Sequence, residues 1–352
     1  MLTFERLNLD VFPWEQTLAT LADRTIYQSL PWLNFLKATQ KGEPVLGALH
    51  TETTTVGYFT GMIVQKFGLR ILGSPFPGWS TSYMGLNLRP EVRWGAALDA
   101  LKRFAFADLR CSHLEFLNRK LNHEEIKERQ LTWTPLNGFE VDLSVEEEDV
   151  FQRMQPSCRQ AIRRAIRLGV TVEESQDPGF VDEYYDQLKD VFRRQGLVPT
   201  YGVERVRELM WHIQPTGKLL LLRARDSAGR SIATGIFLSI SPSTMYFWGG
   251  ASWYSYQSLR PNDLLMWTAM RIGRDRGMRI LDLGGAGDYK KKFGGNPISV
   301  PWVRVSSRPL VPFLRDAAKK WWTFKRRIQG SGWQAHARRL VNSHHADSGV
   351  KA

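Results

Sequence analysis

Arg279-Ile-Leu-Asp-Leu-Gly-Gly-Ala-Gly-Asp-Tyr-Lys-Lys-Lys-Phe-Gly-Gly295 decides how the rest of the chain is read. Ile280, Leu281 and Leu283 form a short apolar run of the kind a buried strand makes. Gly284, Gly285 and Gly287 then let the backbone bend sharply and approach another group closely. Lys290, Lys291 and Lys292 follow, and Phe293-Gly294-Gly295 closes the segment. A strand end that opens into glycines and three ammonium groups is suited to holding an anion. The same letters describe a glycine turn before a solvated charge run, and local sequence leaves both readings open.

Context sets two related motifs aside. Asp282-Leu-Gly-Gly-Ala-Gly287 looks like the first motif of an S-adenosylmethionine methyltransferase. That motif needs further strand and helix units downstream, because its ligand sits where a doubly wound sheet changes direction. Only a short basic tail follows here. A P-loop needs Gly-x-x-x-x-Gly-Lys-Ser/Thr, a string this sequence does not contain.

The 352 residues, 43% of them hydrophobic, suffice for two ordinary domains with separate cores. Thirteen Trp argue for filled cores and aromatic-lined grooves rather than disorder. Cys111 and Cys158 cannot make a disulfide framework and suit a reducing compartment. The seven histidines show no HExxH or paired Cys/His spacing, so no metal site is expected. Met1-Leu-Thr-Phe-Glu-Arg6 does not read as a signal peptide. No stretch approaches the roughly twenty apolar residues of a membrane span. The expected location is cytoplasmic, with a peripheral place at the inner face of the membrane as an option.

The net charge of +13 is uneven: from Arg304 to the end, eleven Lys and Arg stand against two Asp. Such a tail suggests an anionic partner, RNA or a membrane surface. Lys319-Lys-Trp-Trp-Thr-Phe-Lys-Arg-Arg327 has the composition of a helix lying on anionic lipid. It equally suits a terminal helix docked by its tryptophans.

Along the chain, Ser29–Lys37 reads as a helix with Ser29 as its N-cap and Pro31 early. Pro44–His50 and Val56–Val64 read as a hairpin, and Leu69–Leu72 as a third strand. Gly73–Gly85 is too rich in Gly and Pro for regular structure. Its Phe76, Trp79 and Tyr83, with Trp94, are candidates for lining a pocket or plugging the core. Trp94–Leu109 reads as a helix and His113–Leu117 as a strand. After a charged stretch comes a strand at Phe139–Leu143. A helix then opens at Glu146–Asp149, where acids suit the positive end. Arg159, Arg163 and Arg167 recur on one face of that helix, as a solvated ridge or a phosphate grip. Gly169 ends it, and Val170–Glu173 follows as a strand.

The order then repeats. Helices at Phe180–Gln195 and Val203–His212 precede a hairpin of Leu219–Arg225 and Ile232–Ile240. A strand at Thr244–Gly249, a helix from Asn262 and the strand Arg279–Leu283 complete the series. The helix, hairpin, strand, helix, strand order of residues 29–117 recurs at a displacement of about 170 residues. The expectation is an α/β (α+β) chain of tandem duplicated domains, with mixed, mostly antiparallel sheets flanked by helices. The expected units are 1–145, 146–305 with the site, and a basic, Trp-containing tail at 306–352.

Four segments carry a resemblance to a family: Arg159–Val170, Tyr246-Phe-Trp-Gly-Gly-Ala251, Arg260-Pro-Asn-Asp-Leu-Leu-Met-Trp267, and Leu281–Gly287 with Lys290–Gly295. In this order, over residues 29–305, the chain resembles the GNAT acyltransferases in their duplicated form. These are the Fem-type non-ribosomal peptidyltransferases and Fem-like enzymes found with exopolysaccharide and cell-envelope genes. One departure stands out. A GNAT domain holds its donor's pyrophosphate with a Gln/Arg-x-x-Gly-x-Gly/Ala loop, whereas Ser252–Asn262 has no glycine and is bulky and aromatic.

The resemblance implies acyl or aminoacyl transfer to an amine of a cell-envelope or exopolysaccharide precursor. It implies no tightly bound cofactor. The donor is aminoacyl-tRNA, favoured by the rebuilt loop and the basic balance, or acyl-CoA. The tetrahedral oxyanion of acyl transfer needs positive charge or N–H donors; by the resemblance, Lys290, Lys291 or Lys292 beside Phe293 serves there or holds the acceptor's phosphates. Asp282 is a candidate for positioning the amine and for capping the glycine turn. Tyr254, Tyr256 and Asn262 are candidates for an acceptor groove between the domains, Arg159 and Arg163 for its phosphates, and Gly284 and Gly285 for close approach of substrate. A different class also stays open: a non-catalytic GNAT pair that binds RNA or an anionic membrane assembly.

Overall fold

The computed structural model describes residues 1–308 except 67, 122, 241, 242 and 286. The tail's aromatic and basic segment therefore lies outside the described residues. The N-terminal half holds β1 (Thr3–Leu7), α1 (Trp14–Thr20), α2 (Leu30–Gln40), β2 (Glu43–His50), β3 (Thr55–Lys66), β4 (Leu69–Ser74) and β5 (Gly85–Leu88). It continues with α3 (Trp94–Arg103), β6 (His113–Leu117), α4 (His123–Glu128) and β7 (Thr132–Asp142). The C-terminal half holds α5 (Glu147–Arg153), α6 (Pro156–Arg167), β8 (Thr171–Glu174), α7 (Phe180–Arg194), α8 (Val203–Ile213) and β9 (Leu219–Arg225). It ends with β10 (Ser231–Ile240), β11 (Thr244–Ser252), α9 (Pro261–Asp275), β12 (Ile280–Gly285) and β13 (Asn296–Ser306).

These strands make one mixed, mostly antiparallel sheet flanked by helices. Its order is β1-β2-β3-β4-β6-β13-β7-β12-β11-β10-β9-β8, with β5 on β3. Each half contributes one parallel pair, β4 with β6 and β11 with β12. A parallel pair needs a crossover, and α3 and α9 supply it. The expected duplicated GNAT order is therefore present. The two halves share a single sheet.

The last strands of the halves join them. β13 inserts between β6 and β7, and β7 lies against β12. Without these strands, β6 and β12 would each present an open edge of unpaired backbone groups. The prolines of the pair face each other, Pro301 opposite Pro135, so the two missing N–H groups fall at one position of the ladder.

Helix packing follows the same plan. On one side of the sheet, α2 and α8 meet in a core common to both halves, with Trp32, Phe35, Val206, Leu209 and Leu238 fully buried. On the other side each half keeps its own core, under α3 and under α6 with α9.

Local chemistry explains where the elements depart from expectation. The helix read through residues 146–169 is two helices, because Pro156 starts α6 and cannot continue α5. Arg159 donates to the carbonyls of Gln152 and Met154 (2.7 and 2.6 Å), satisfying the end of α5. The helix read over 94–109 changes to a π-helical turn at Phe104–Asp108. Ser29 is the N-cap of α2, but its hydroxyl donates back to Ile26 O (2.7 Å) instead of accepting from the helix. The segment 73–85 plugs the core: Phe76 and Tyr83 are buried.

Candidate active site

The site begins where β11 and β12 part. They pair in parallel only from Thr244 to Tyr246 against Ile280 to Asp282. Past that point β11 bulges: Ile236 of β10 faces Gly249 and Phe237 faces Phe247, which leaves Trp248 as the extra residue. β12 meanwhile reaches Gly284, whose φ of 72° is a left-handed conformation that glycine adopts at little cost. The two strand ends therefore diverge.

At the point of divergence three polar side chains stand in a row across adjacent strands. Tyr246 on β11 is opposite Asp282 on β12, and Asp282 is opposite Glu140 on β7. Leu281 and Leu283 alternate to the other side, into the core under α9. Asp282 is only 1% exposed. Its Oδ1 accepts from Gly284 N (2.6 Å), while its Oδ2 has no hydrogen-bond partner. Burial raises its pKa to about 6, the Gly284 N–H opposes that rise and the Glu140 charge adds to it. The Tyr83 hydroxyl is near enough to favour the charged form without closing a hydrogen bond of normal geometry. Burial likewise pushes the Tyr246, Tyr83 and Tyr27 hydroxyls well above their ordinary value. The Tyr27 ring lies 4.8 Å from that of Tyr246. Asp282 thus caps the glycine turn with one oxygen, while the other is buried without a hydrogen-bond partner.

The N-terminal half closes over this row. Glu140 Oε2 accepts from Arg119 (2.6 Å), and the Arg119 guanidinium lies over the Tyr83 ring at 5.3 Å. Glu140 Oε1 is buried without a partner. Sequence reading did not single out Glu140 or Arg119. The available signal was an acid at Glu140 flanked by apolar Phe139 and Val141, which marks a carboxylate on the opposite face of a strand.

The three lysines go to different places. Lys290 donates to Gly285 O (2.7 Å), and burial pushes its pKa down against the pull of Asp282. Lys292 pairs with the buried Asp263 carboxylate of α9. Lys291 lies in the same 3-10 turn, where its carbonyl accepts from Gly294 N (3.2 Å). Phe293 is a core residue under α9.

Beside Lys292 lies a groove of about 610 Å³ between α6 and the start of α9. Arg163, Arg164, Arg167, Arg260 and Lys292 line it, against one carboxylate, Asp263. Arg163 also stacks over Phe151 at 5.4 Å. Arg260, at φ 58°, turns the chain into α9, whose first N–H groups add a partial positive charge at the same place. Arg159 is not among the lining residues, being spent on α5.

A second groove, of about 660 Å³, adjoins the end of β11 and is lined by Tyr185, Asp190, Arg193, Tyr201 and Trp253 among others. Tyr201 links it inward: its hydroxyl is 2.8 Å from that of Tyr184 and its ring 5.6 Å from Trp248. Tyr254 and Tyr256 are outside the seam between the halves. Tyr254 packs under Arg194 (4.8 Å) and donates its backbone N–H to Asp190, while Tyr256 packs under Arg230 (5.2 Å) by the β9–β10 turn. Asn262 donates to Ser252 Oγ (2.9 Å), tying α9 to the end of β11. Among the described residues no group of three or more His, Cys, Asp or Glu could hold a metal ion, and no helix is long and apolar enough to cross a membrane.

Residues 152–292 match the family model described as an acetyltransferase (GNAT) domain. Comparison with curated proteins gave no match. Among solved structures, the chain is similar to FemX, with a TM-score of 0.67 and 12% identity over 85% of this chain and 97% of that one. It is also similar to a tandem GNAT protein from the clavulanic acid biosynthesis pathway (TM-score 0.55, 12% identity, 88% and 99% covered). A third similar structure is L-PGS from Bacillus licheniformis (TM-score 0.51, 11% identity, 83% and 95% covered). The chain has the tandem GNAT fold in its Fem-like form.

Proposed function

We propose that this protein is an N-acyltransferase that moves an acyl or aminoacyl group from a phosphate-bearing carrier to an amine. The observation that carries this reading is the buried Asp282 with its unpartnered Oδ2 at the parting of β11 and β12. The GNAT match over residues 152–292 supports it. A carboxylate with a pKa of about 6 is matched to removing a proton near neutral pH. The attacking nitrogen forms a C–N bond to the donor carbonyl and gives its proton to Asp282. The bond to the carrier breaks, and the carrier leaves with the electron pair. Lys290, beside the glycine turn, supplies positive charge for the oxyanion.

The arginine groove takes the donor's phosphates. Acyl-CoA and aminoacyl-tRNA offer it the same chemistry, and guanidinium groups replace the glycine loop that residues 252–262 lack. The groove at Tyr185, Tyr201 and Trp253 takes the body of the acceptor. The acceptor we propose is an amine on a cell-envelope or exopolysaccharide precursor, as the Fem-like resemblance implies. The matching place is the cytoplasm, at the inner face of the membrane. The boundary between the GNAT-like units is proposed near residue 145, between β7 and α5, with β13 lent back to the first unit.

The test is mass spectrometry of amine panels incubated with acetyl-CoA or with charged tRNA. The expected result is one class of amine gaining the acyl or aminoacyl mass with one of the donors. Binding of a donor with no transfer to any amine would instead make the protein a binding module.

A further inference from the structure

We propose that the N-terminal half completes the catalytic carboxylate: Glu140 holds the substrate amine beside Asp282, and Arg119 holds Glu140 in that role. This rests on the reading of Asp282 as the base for the amine.

The geometry comes from the exchanged strands. Because β7 of the N-terminal half lies against β12, Glu140 is directly opposite Asp282, a position that puts the two Cβ atoms about 4.5–5.5 Å apart. Like charges directly opposite each other weaken a sheet, so two acids at this pair are a poor choice for structure alone. Each acid has one oxygen fixed, Asp282 Oδ1 by Gly284 N and Glu140 Oε2 by Arg119. Each has its other oxygen buried without a partner. Buried acceptors of this kind are rare unless something else fills them. An amine carries more than one N–H. One proton leaves to Asp282 Oδ2, and a second N–H donates to Glu140 Oε1, which turns the nitrogen lone pair toward the donor carbonyl.

Arg119 fits the holding role. Its side chain is about one-third exposed and lies between solvent and the row. It pairs with Glu140 and covers Tyr83. The charged and titratable groups facing Asp282 are Tyr246 from β11, Glu140 from β7, Arg119 after β6, Tyr83 from the loop before β5, Tyr27 before α2, and Lys290 after β12. Of these, Glu140 raises the Asp282 pKa and Arg119 lowers it, so their removal has opposite effects.

The experiment is carboxyl-carbon NMR on the full chain labelled at aspartate, with Asp282→Asn assigning the resonance. Glu140→Gln is expected to move the Asp282 midpoint to lower pH, and Arg119→Met to higher pH, each by about half a unit or more. The acid limb of amine acylation is expected to follow in each case. Unmoved midpoints, or displacement in one common direction, would overturn the assignment. If Arg119→Met does not fold, Glu140→Gln decides alone. The resonance is read without substrate, so displaced midpoints with no acylation of any amine would count against the proposed function and leave the carboxylate pairing standing.

Discussion

The Lys292 ammonium pairs with the buried Asp263 carboxylate, so the last of three consecutive lysines is tied to the first turn of α9. The charge run that reads as one cationic cluster is thus divided between a structural ion pair and the glycine turn at Gly285.

Lys292→Ala leaves Asp263 without its cation, with Cys158 Sγ at 3.8 Å as its remaining side-chain hydrogen-bond contact among the described residues. The expected loss is about 2–3 kcal/mol, under the roughly 3–5 kcal/mol of a fully buried pair because Lys292 is partly exposed. Lys290→Met should cost much less, since its bond is one hydrogen bond at a turn. Replacing all three lysines is therefore expected to lower the melting temperature through Lys292. Thermal melts of the single variants check this, and equal melts for the two would contradict it.

Asp282→Asn is expected to stabilise the protein at pH 7. A carboxyl with a folded pKa of about 6 holds its proton more tightly than the unfolded chain, where the pKa is about 3.9. Stability tied to this group is therefore present below about pH 4, falls as pH rises toward 6, and above that costs up to about 3 kcal/mol. Asparagine removes the charge and keeps an acceptor for Gly284 N. Denaturation of both proteins at pH 4.5 and pH 7.5, as conditions of about those values, should show the gap widening at the higher pH. A gap independent of pH would mean that Asp282 is not the titrating group.

How far the sequence could be read depended on the range of the interactions. α7 was legible to within a residue because its apolar positions recur at helical spacing inside one segment. β13 was assigned to no element, because Pro297 and Pro301 interrupt the apolar positions Ile298, Val300 and Trp302 that would otherwise mark a strand. It becomes a strand only because β6 and β7 grip it from both sides. The glycine turn and Asp282 were visible for the same local reason as α7. Glu140 and Arg119 were not, since nothing local states that β7 crosses to β12. Arg159 and Arg163 share a helix face, yet one is taken by the end of α5 and the other lines the groove, a division set by the break at Pro156.

Arg163, Arg164 and Arg167 should control donor binding. Changing all three to Gln is expected to weaken the phosphate-bearing donor by tenfold or more, given about 1.5–3 kcal/mol for each charged hydrogen bond lost. The slope of affinity against salt should flatten if the donor is tRNA. Titration across a salt series checks this. Unchanged affinity would move the donor's phosphates out of this groove.

Gly249 is predicted to be intolerant for a steric reason. A methyl group there would come within 2.5 Å of Tyr184 Oη, which is itself bonded to Tyr201. Gly249→Ala should cost about 1–3 kcal/mol. Tyr184→Phe in the same chain should recover part of that loss by removing the clashing atom. Chemical denaturation of the single and double variants decides, and purely additive losses would show that the hydroxyl is not the obstacle.

The most direct test of the account is the pH dependence of amine acylation in the intact protein and in Asp282→Asn. The account predicts a rate that falls as pH drops through about 6 in the wild type, and a loss of about a hundredfold or more in the variant, with that limb gone. An Asp282→Asn protein that acylates the same amine at a similar rate, with the same acid limb, would contradict it.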